Sequence, residues 1–201
     1  MFLNQEAHYR RAIILTMDIK SAQADVRHVY RNGFTGPLVS GILWMISAAI
    51  AQTVNMQTAV VVFFVAGMFL FPITSLILKL TTGTAQLPKG HPMAALGMQT
   101  AFTVPIGLLV AVALSLSESS LFFCAAMLIV GAHYLPFCFL YGMKTFIVLA
   151  CTLILSAFIL VYLIPSALFL SGWIGGGILI AFSLVLYILY YRDSHSIAKT
   201  V

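Results

Sequence analysis

The segment Cys124–Lys144, CAAMLIVGAHYLPFCFLYGMK, decides how this chain is read. It carries no charge before Lys144, and its length matches the roughly 20 residues a helix needs to cross a bilayer. Yet it holds His133 in its interior and Pro136 one turn later. An imidazole costs free energy in hydrocarbon, so it must face protein or trapped water rather than lipid. Pro136 has no N–H for the Ala132 carbonyl, which must then find another donor. Chemistry, if the chain has any, is expected here first.

Composition extends that reading to the whole chain. Of 201 residues, 62% are hydrophobic and 7% charged, and the mean hydropathy is +1.07. A soluble domain is about 25% charged. There are too few charges to coat a globule, so lipid is the solvent for most of the surface and one membrane domain is expected. The net charge of +5 does not point to nucleic acid, because the basic residues cluster at the edges of apolar runs, as membrane topology and anionic headgroups require. Membrane lipids are the expected partners. Cys124, Cys138 and Cys151 all lie inside apolar segments, form no CxxC and have no histidines at ligand spacing, so they read as small buried hydrophobes.

Six apolar runs follow one another, each near spanning length. They are Gly36–Val54, Thr58–Leu78, Pro92–Leu114, Leu121–Tyr141, Thr145–Leu163 and Ala167–Tyr191. Pro37 and Pro92 fall in first turns, where a missing N–H does no harm. The segment 1–32 differs: it holds five of the ten Lys and Arg residues and three of the five acids. Asp18 and Lys20 interrupt any signal-peptide core. Leu15, Ile19, Ala22, Val26 and Val29 recur at helical spacing. This predicts an amphipathic helix, either lying along the interface with its basic side toward headgroups or packed under the bundle or against a partner. The expected fold is therefore an all-α polytopic membrane helix bundle of six transmembrane helices plus an N-terminal amphipathic interfacial helix. Its parts are an amphipathic segment 1–32, a transmembrane domain 33–191 and a tail 192–201.

Orientation follows from the connections. All ten Lys and Arg residues fall in the N-terminal segment, the second–third and fourth–fifth connections and the tail. The opposite connections, Asn55–Gln57, Ser115–Ser120 and Pro165–Trp173, have none. Cytoplasmic termini are expected. The tyrosines at 187, 190 and 191 and Trp173 suit the two interfaces.

At about 1.5 Å per residue, His133 lies about 12 Å from the inner end of its helix, and Gln99 about 10 Å from the inner start of the third. Ser183 lies at a similar level, and Thr103 shares the face of Gln99 one turn on. These residues form an expected polar layer in the inner half of the bilayer. It reads either as a substrate site, with a titratable imidazole beside hydrogen-bonding side chains, or as interhelical glue at about 1 kcal/mol per bond. No acid lies deep in any run, which disfavours a proton-coupled pump. Lys20, Arg27, Arg31 and Lys89 are candidates for lipid headgroups. His91 starts the third helix beside Lys89.

Gly172 and Gly176 form a small-xxx-small pair that would serve intramolecular packing or a homo-oligomer. An internal repeat is suggested by a proline five residues after a glycine in two runs, Gly67 to Pro72 and Gly131 to Pro136. There is no GxSxG, HExxH, glycine-rich phosphate loop or paired carboxylate, so no enzyme, metal or cofactor is expected. Two function classes stand: a small transporter- or channel-like protein with its site at His133, Gln99, Thr103 and Ser183, and a structural or accessory protein binding lipid or a partner. An enclosed, hydrogen-bonded His133 would favour the second and a hydrated funnel the first.

Four stretches together carry a resemblance: VRHVYRNGFTGPLVSGILW at Val26–Trp44, FFVAGMFLFP at Phe63–Pro72, HPMAALG at His91–Gly97 and GAHYLPFCFLYG at Gly131–Gly142. The chain resembles an uncharacterised family of small bacterial multi-pass membrane proteins, a domain of unknown function. His133 and Pro136 match its Gly-Ala-His-x-x-Pro core, whereas His91 stands where asparagine is commoner. The resemblance covers Asp18–Thr145 best. It implies an all-helical membrane domain and brings no activity, substrate or cofactor with it; the bacterial inner membrane is the expected location.

Overall fold

The computed structural model describes residues 18–83 and 86–197, with side chains to residue 193. Leu15, Arg10, Arg11 and Lys199, which entered the reading above, lie outside these. The described residues form helices and turns and no strand. In chain order the helices are α1 Ile19–Tyr30, α2 Thr35–Thr53, α3 Met56–Met68, α4 Leu70–Thr82, α5 Pro92–Ser117, α6 Phe122–Tyr141, α7 Thr145–Phe158 and α8 Ser171–Ile197. Five helical stretches are long and apolar enough to cross a bilayer, and α3 with α4, bent by 49° at their junction, supply a sixth if taken as one span. The polytopic helical bundle read from the sequence is the fold observed.

The bundle closes where its first and last long helices touch backbone to backbone. Built onto Gly41, a Cβ would lie 2.9 Å from the Gly176 carbonyl oxygen, and one on Gly176 would lie 3.0 Å from that of Gly41. A Cβ on Gly172 would meet that of Ala48 at 2.8 Å, and the fully buried Trp44 ring presses on Gly175. Glycine is therefore needed for lack of a side chain, as small residues are wherever membrane helices approach closely. The Gly172 and Gly176 pair faces α2 of its own chain, where it serves intramolecular packing.

Two aromatic clusters fill the centre. Toward one end Phe63 lies 5.1 Å from Trp44, 5.5 Å from Phe122 and 5.9 Å from Phe123, centroid to centroid. Toward the other, Phe137 and Tyr141 pack on Phe146 at 5.5 and 4.9 Å. Most of these pairs are edge-to-face or tilted, as ring quadrupoles prefer. α6 and α7 form a tight hairpin, since a Cβ on Gly131 would meet the Ala150 carbonyl at 3.1 Å.

α1 packs under the bundle, with Ile19, Lys20, Ala24 and His28 on its exposed side. Asp18 caps it, accepting from the Ser21 N–H at 2.6 Å, and this bond holds the Asp18 carboxyl below the usual range. Ala22 and Val26 are buried. Gln23 Nε2 donates to the Phe139 carbonyl and Arg27 Nη1 to the Tyr141 carbonyl, each at 2.6 Å. Both acceptors belong to the last turn of α6, at the negative end of the helix dipole, and the Phe139 carbonyl also accepts from the Gly142 N–H at 3.3 Å. His91 is the N-cap of α5, its Nδ1 accepting from the Met93 N–H at 3.2 Å, and its Nε2 lies 3.5 Å from Asp25 Oδ2. At that distance the buried Nε2 faces the carboxylate without a hydrogen bond. α1 thus joins the start of α5 to the end of α6. The chain then turns into α2 through three successive left-handed residues, Arg31, Asn32 and Gly33, and a Cβ on Gly33 would strike the Tyr141 ring at 2.8 Å.

The suggested repeat is not matched at its defining prolines. Gly67 and Pro72 straddle the bend between α3 and α4, whereas α6 runs unbroken through Pro136.

Replacing Gly176 by valine is expected to destabilise the protein by about 2 kcal/mol, because the added atoms meet backbone that cannot yield. Denaturant titration of the purified protein in micelles measures this. His91→Asn, which retains a capping acceptor, should stay within a few tenths of a kcal/mol of the wild type, while His91→Leu costs about 1 kcal/mol by the same measurement.

Candidate functional site

The expected polar layer divides into three parts. His133 on α6 and Thr103 on α5 come together, with His133 Nδ1 3.1 Å from Thr103 Oγ1. The Thr103 hydroxyl has one proton and directs it to the Thr100 carbonyl at 2.7 Å. The direction of the contact with His133 follows the ring tautomer, and the imidazole also lies beside the Thr100 backbone. Phe137 and Tyr134 flank the imidazole, with centroids at 4.8 and 5.4 Å. A neutral ring held this way avoids the cost of a charge in hydrocarbon.

Ser183 is elsewhere. It is buried in α8 and donates to the Phe34 carbonyl at the start of α2, 2.9 Å away. It is a tie between the first and last long helices and does not join the His133 group. Gln99 shares a face with Thr103 but is exposed, and its amide has no hydrogen-bond partner among the described residues.

The edge where His133 and Thr103 meet opens sideways. Thr103, Gln99, Phe102 and Ile106 on α5 are exposed, as are Ala132 and Leu135 on α6. α5 is the least covered span: 17% of its most apolar window is buried, against 33–44% in the other unbent spans. The bend between α3 and α4 contributes, because α3 packs against α5 while α4 packs on α2. Pro105 and Pro136, on the two facing helices, each withhold the N–H due to the carbonyl four residues earlier, at Ala101 and Ala132. The site thus brings together an imidazole, two under-donated carbonyls and a free amide beside a membrane-facing edge. Such a set can bond hydroxyl, amide or other neutral donors.

The four basic candidates also part company. Lys20 and Lys89 are exposed and free to meet headgroups. Arg27 is half-buried on the end of α6. Arg31 donates from Nη2 to the Thr81 carbonyl at 3.2 Å and lies 5.6 Å above the Tyr190 ring centroid. Arg27 and Arg31 therefore serve helix ends first. Sequence reasoning missed this use, and missed Gln23 and the Asp25–His91 pair altogether. Only Gly142, an evident helix terminator after Tyr141, hinted that carbonyls there needed donors. Among the described residues no group of three or more His, Cys, Asp or Glu side chains could hold a metal ion.

His133→Ala and Thr103→Val should each cost about 1 kcal/mol, and the double variant little more than either, because both remove one shared bond. A double-mutant cycle of unfolding free energies in micelles reads the coupling directly.

Comparison with known proteins adds the family. No curated protein and no solved structure matches the chain. One family model matches across residues 19–189, which takes in α1 and nearly all of the span region, and its description is a family of unknown function. The chain therefore belongs to that family, DUF7010.

Proposed function

We propose that this protein is a non-catalytic accessory component of the membrane that works by lateral association, docking another hydrophobic segment on the open α5–α6 edge. The observation that carries this reading is the outward placement of Gln99 and Thr103 beside a hydrogen-bonded His133. In hydrocarbon a free side-chain amide and under-donated carbonyls gain by pairing with a neighbouring helix or a hydroxyl-bearing lipid. Polar groups meant to line a transport path would instead converge inside the bundle, whereas Ser183 is committed to Phe34 on another pair of helices. The reading places the protein in the bacterial inner membrane with both termini cytoplasmic, on the strength of the Lys and Arg distribution.

A transporter- or channel-like role is the second reading. It draws on the bend between α3 and α4, since interrupted helices near the midplane are a feature of transporter sites. It requires water to reach the His133 level from one side.

Thiol accessibility separates the two. In protein with Cys124, Cys138 and Cys151 replaced by alanine, Gln99→Cys and Thr103→Cys in sealed vesicles should resist a membrane-impermeant maleimide added to either side. Labelling of both positions from one side would favour the transport reading and remove the lateral one. Cysteines placed at Lys89 and Glu118 serve as reporters of the two aqueous faces and should label from opposite sides.

A further inference from the structure

We infer that the partner docked on α5 is a second copy of this chain, in a parallel two-fold dimer with Gln99 facing Gln99 across the axis. This rests on the lateral reading above and names its occupant. The exposed face of α5 carries Ala95, Gln99, Phe102, Ile106, Leu109 and Ala113. Their spacing alternates four and three residues, the seam along which two helices supercoil left-handedly with side chains interlocked. Gln99 is the one polar residue in that series. Alanines at both ends allow the backbones to approach, and no charge on the face calls for a charged partner.

Three considerations favour a second copy over a foreign helix. Every copy inserts with the same orientation, so two chains lying side by side place Gln99 at the same depth, about 10 Å into the hydrocarbon. A two-fold axis sets a surface residue near the axis against itself. A primary amide both donates and accepts, so two of them close a reciprocal pair of hydrogen bonds and satisfy what neither chain satisfies alone. The remainder of the stripe is apolar, as a like surface on a second copy would be. The glycine pair at 172 and 176, the other candidate for self-association, already lies against Ala48, Trp44 and Met45 of its own chain.

The arrangement also bears on His133. Thr103 flanks the seam one turn from Gln99, so a second copy would cover the edge at which the imidazole opens and exclude lipid from it. The His133–Thr103 bond would then sit at the border of a dimer interface.

The test uses full-length protein reconstituted in liposomes, with the three native cysteines replaced by alanine and single cysteines introduced where Gln99 is left intact. Copper phenanthroline should cross-link Ala95→Cys, Phe102→Cys and Ile106→Cys into dimers. It should leave Leu184→Cys, on an exposed face of α8, as monomer. Adding Gln99→Leu to Ile106→Cys should lower the cross-linked fraction about tenfold at limiting protein-to-lipid ratio, the change expected for the loss of one or two interhelical bonds. Adding Gln99→Asn should restore much of it. Since leucine in a lipid-facing position leaves the monomer's own contacts untouched, retained monodispersity in micelles shows that the variant is folded. Equal cross-linking at Leu184→Cys, absence of cross-linking along the stripe, or indifference to Gln99→Leu would each overturn the dimer. Absent cross-linking combined with continued maleimide protection of Gln99→Cys would remove the second copy as occupant while leaving lateral association standing.

Discussion

The contact on which the structure depends is the crossing of α2 and α8, where Gly41 and Gly176 bring two backbones together with no side chain between them. Lipid tails are as apolar as leucine, so no hydrophobic force drives these helices together, and close van der Waals packing must do so. A Cβ at either position would lie within 3.0 Å of the opposite carbonyl oxygen. The crossing also makes room for Trp44 over Gly175, and Trp44 anchors Phe63 and Phe123. Separating the two helices would therefore undo the aromatic cluster that joins α2, α3 and α6.

At the opposite extreme of polarity, α1 settles the bundle's end. Helix termini leave carbonyls and amides that hydrocarbon cannot satisfy and that water reaches only at the interface. Gln23 and Arg27 meet the carbonyls closing α6, Arg31 meets that of Thr81 at the end of α4, and Asp25 meets the histidine that caps α5. Gln23, Asp25 and Arg27 are polar side chains on a short helix whose apolar side, Ala22 and Val26, is buried beneath the spans, and Arg31 follows at its end. The basic residues near the apolar runs accordingly do more than report topology. Two of them complete helix ends, which explains why the chain accepts two left-handed non-glycine residues, Arg31 and Asn32, to hold α1 in place.

The His133 edge inherits its position from both constraints. α1 ties the start of α5 to the end of α6, and the bend between α3 and α4 leaves α5 covered on one side only. His133 then finds its partner within the facing helix, and Gln99, one turn from that partner, does not. A bilayer gives a free amide no water, so the polar group left over is the one that calls for a neighbour. The same geometry accounts for the absence of a single converged layer, since residues at equal depth on different helices meet only if their faces turn toward one another.

The amino-acid sequence by itself determined the solvent, the number of apolar runs and the all-helical class, because hydrophobicity over some 20 residues and the need to close every backbone bond leave few other solutions. It also marked His133, Gln99, Thr103 and Ser183 as polar residues at similar depth, since depth is a count along one helix. Azimuth is not such a count. In a helix apolar all round, such as α5, no amphipathic stripe reveals which side faces protein. Tertiary structure alone decided that Thr103 turns to His133, that Ser183 closes on Phe34, that Gln99 looks outward and that Gly172 and Gly176 serve the chain's own crossing. It also drew α1 under the bundle, because the carbonyls that draw it there become neighbours of α1 only after the chain has folded.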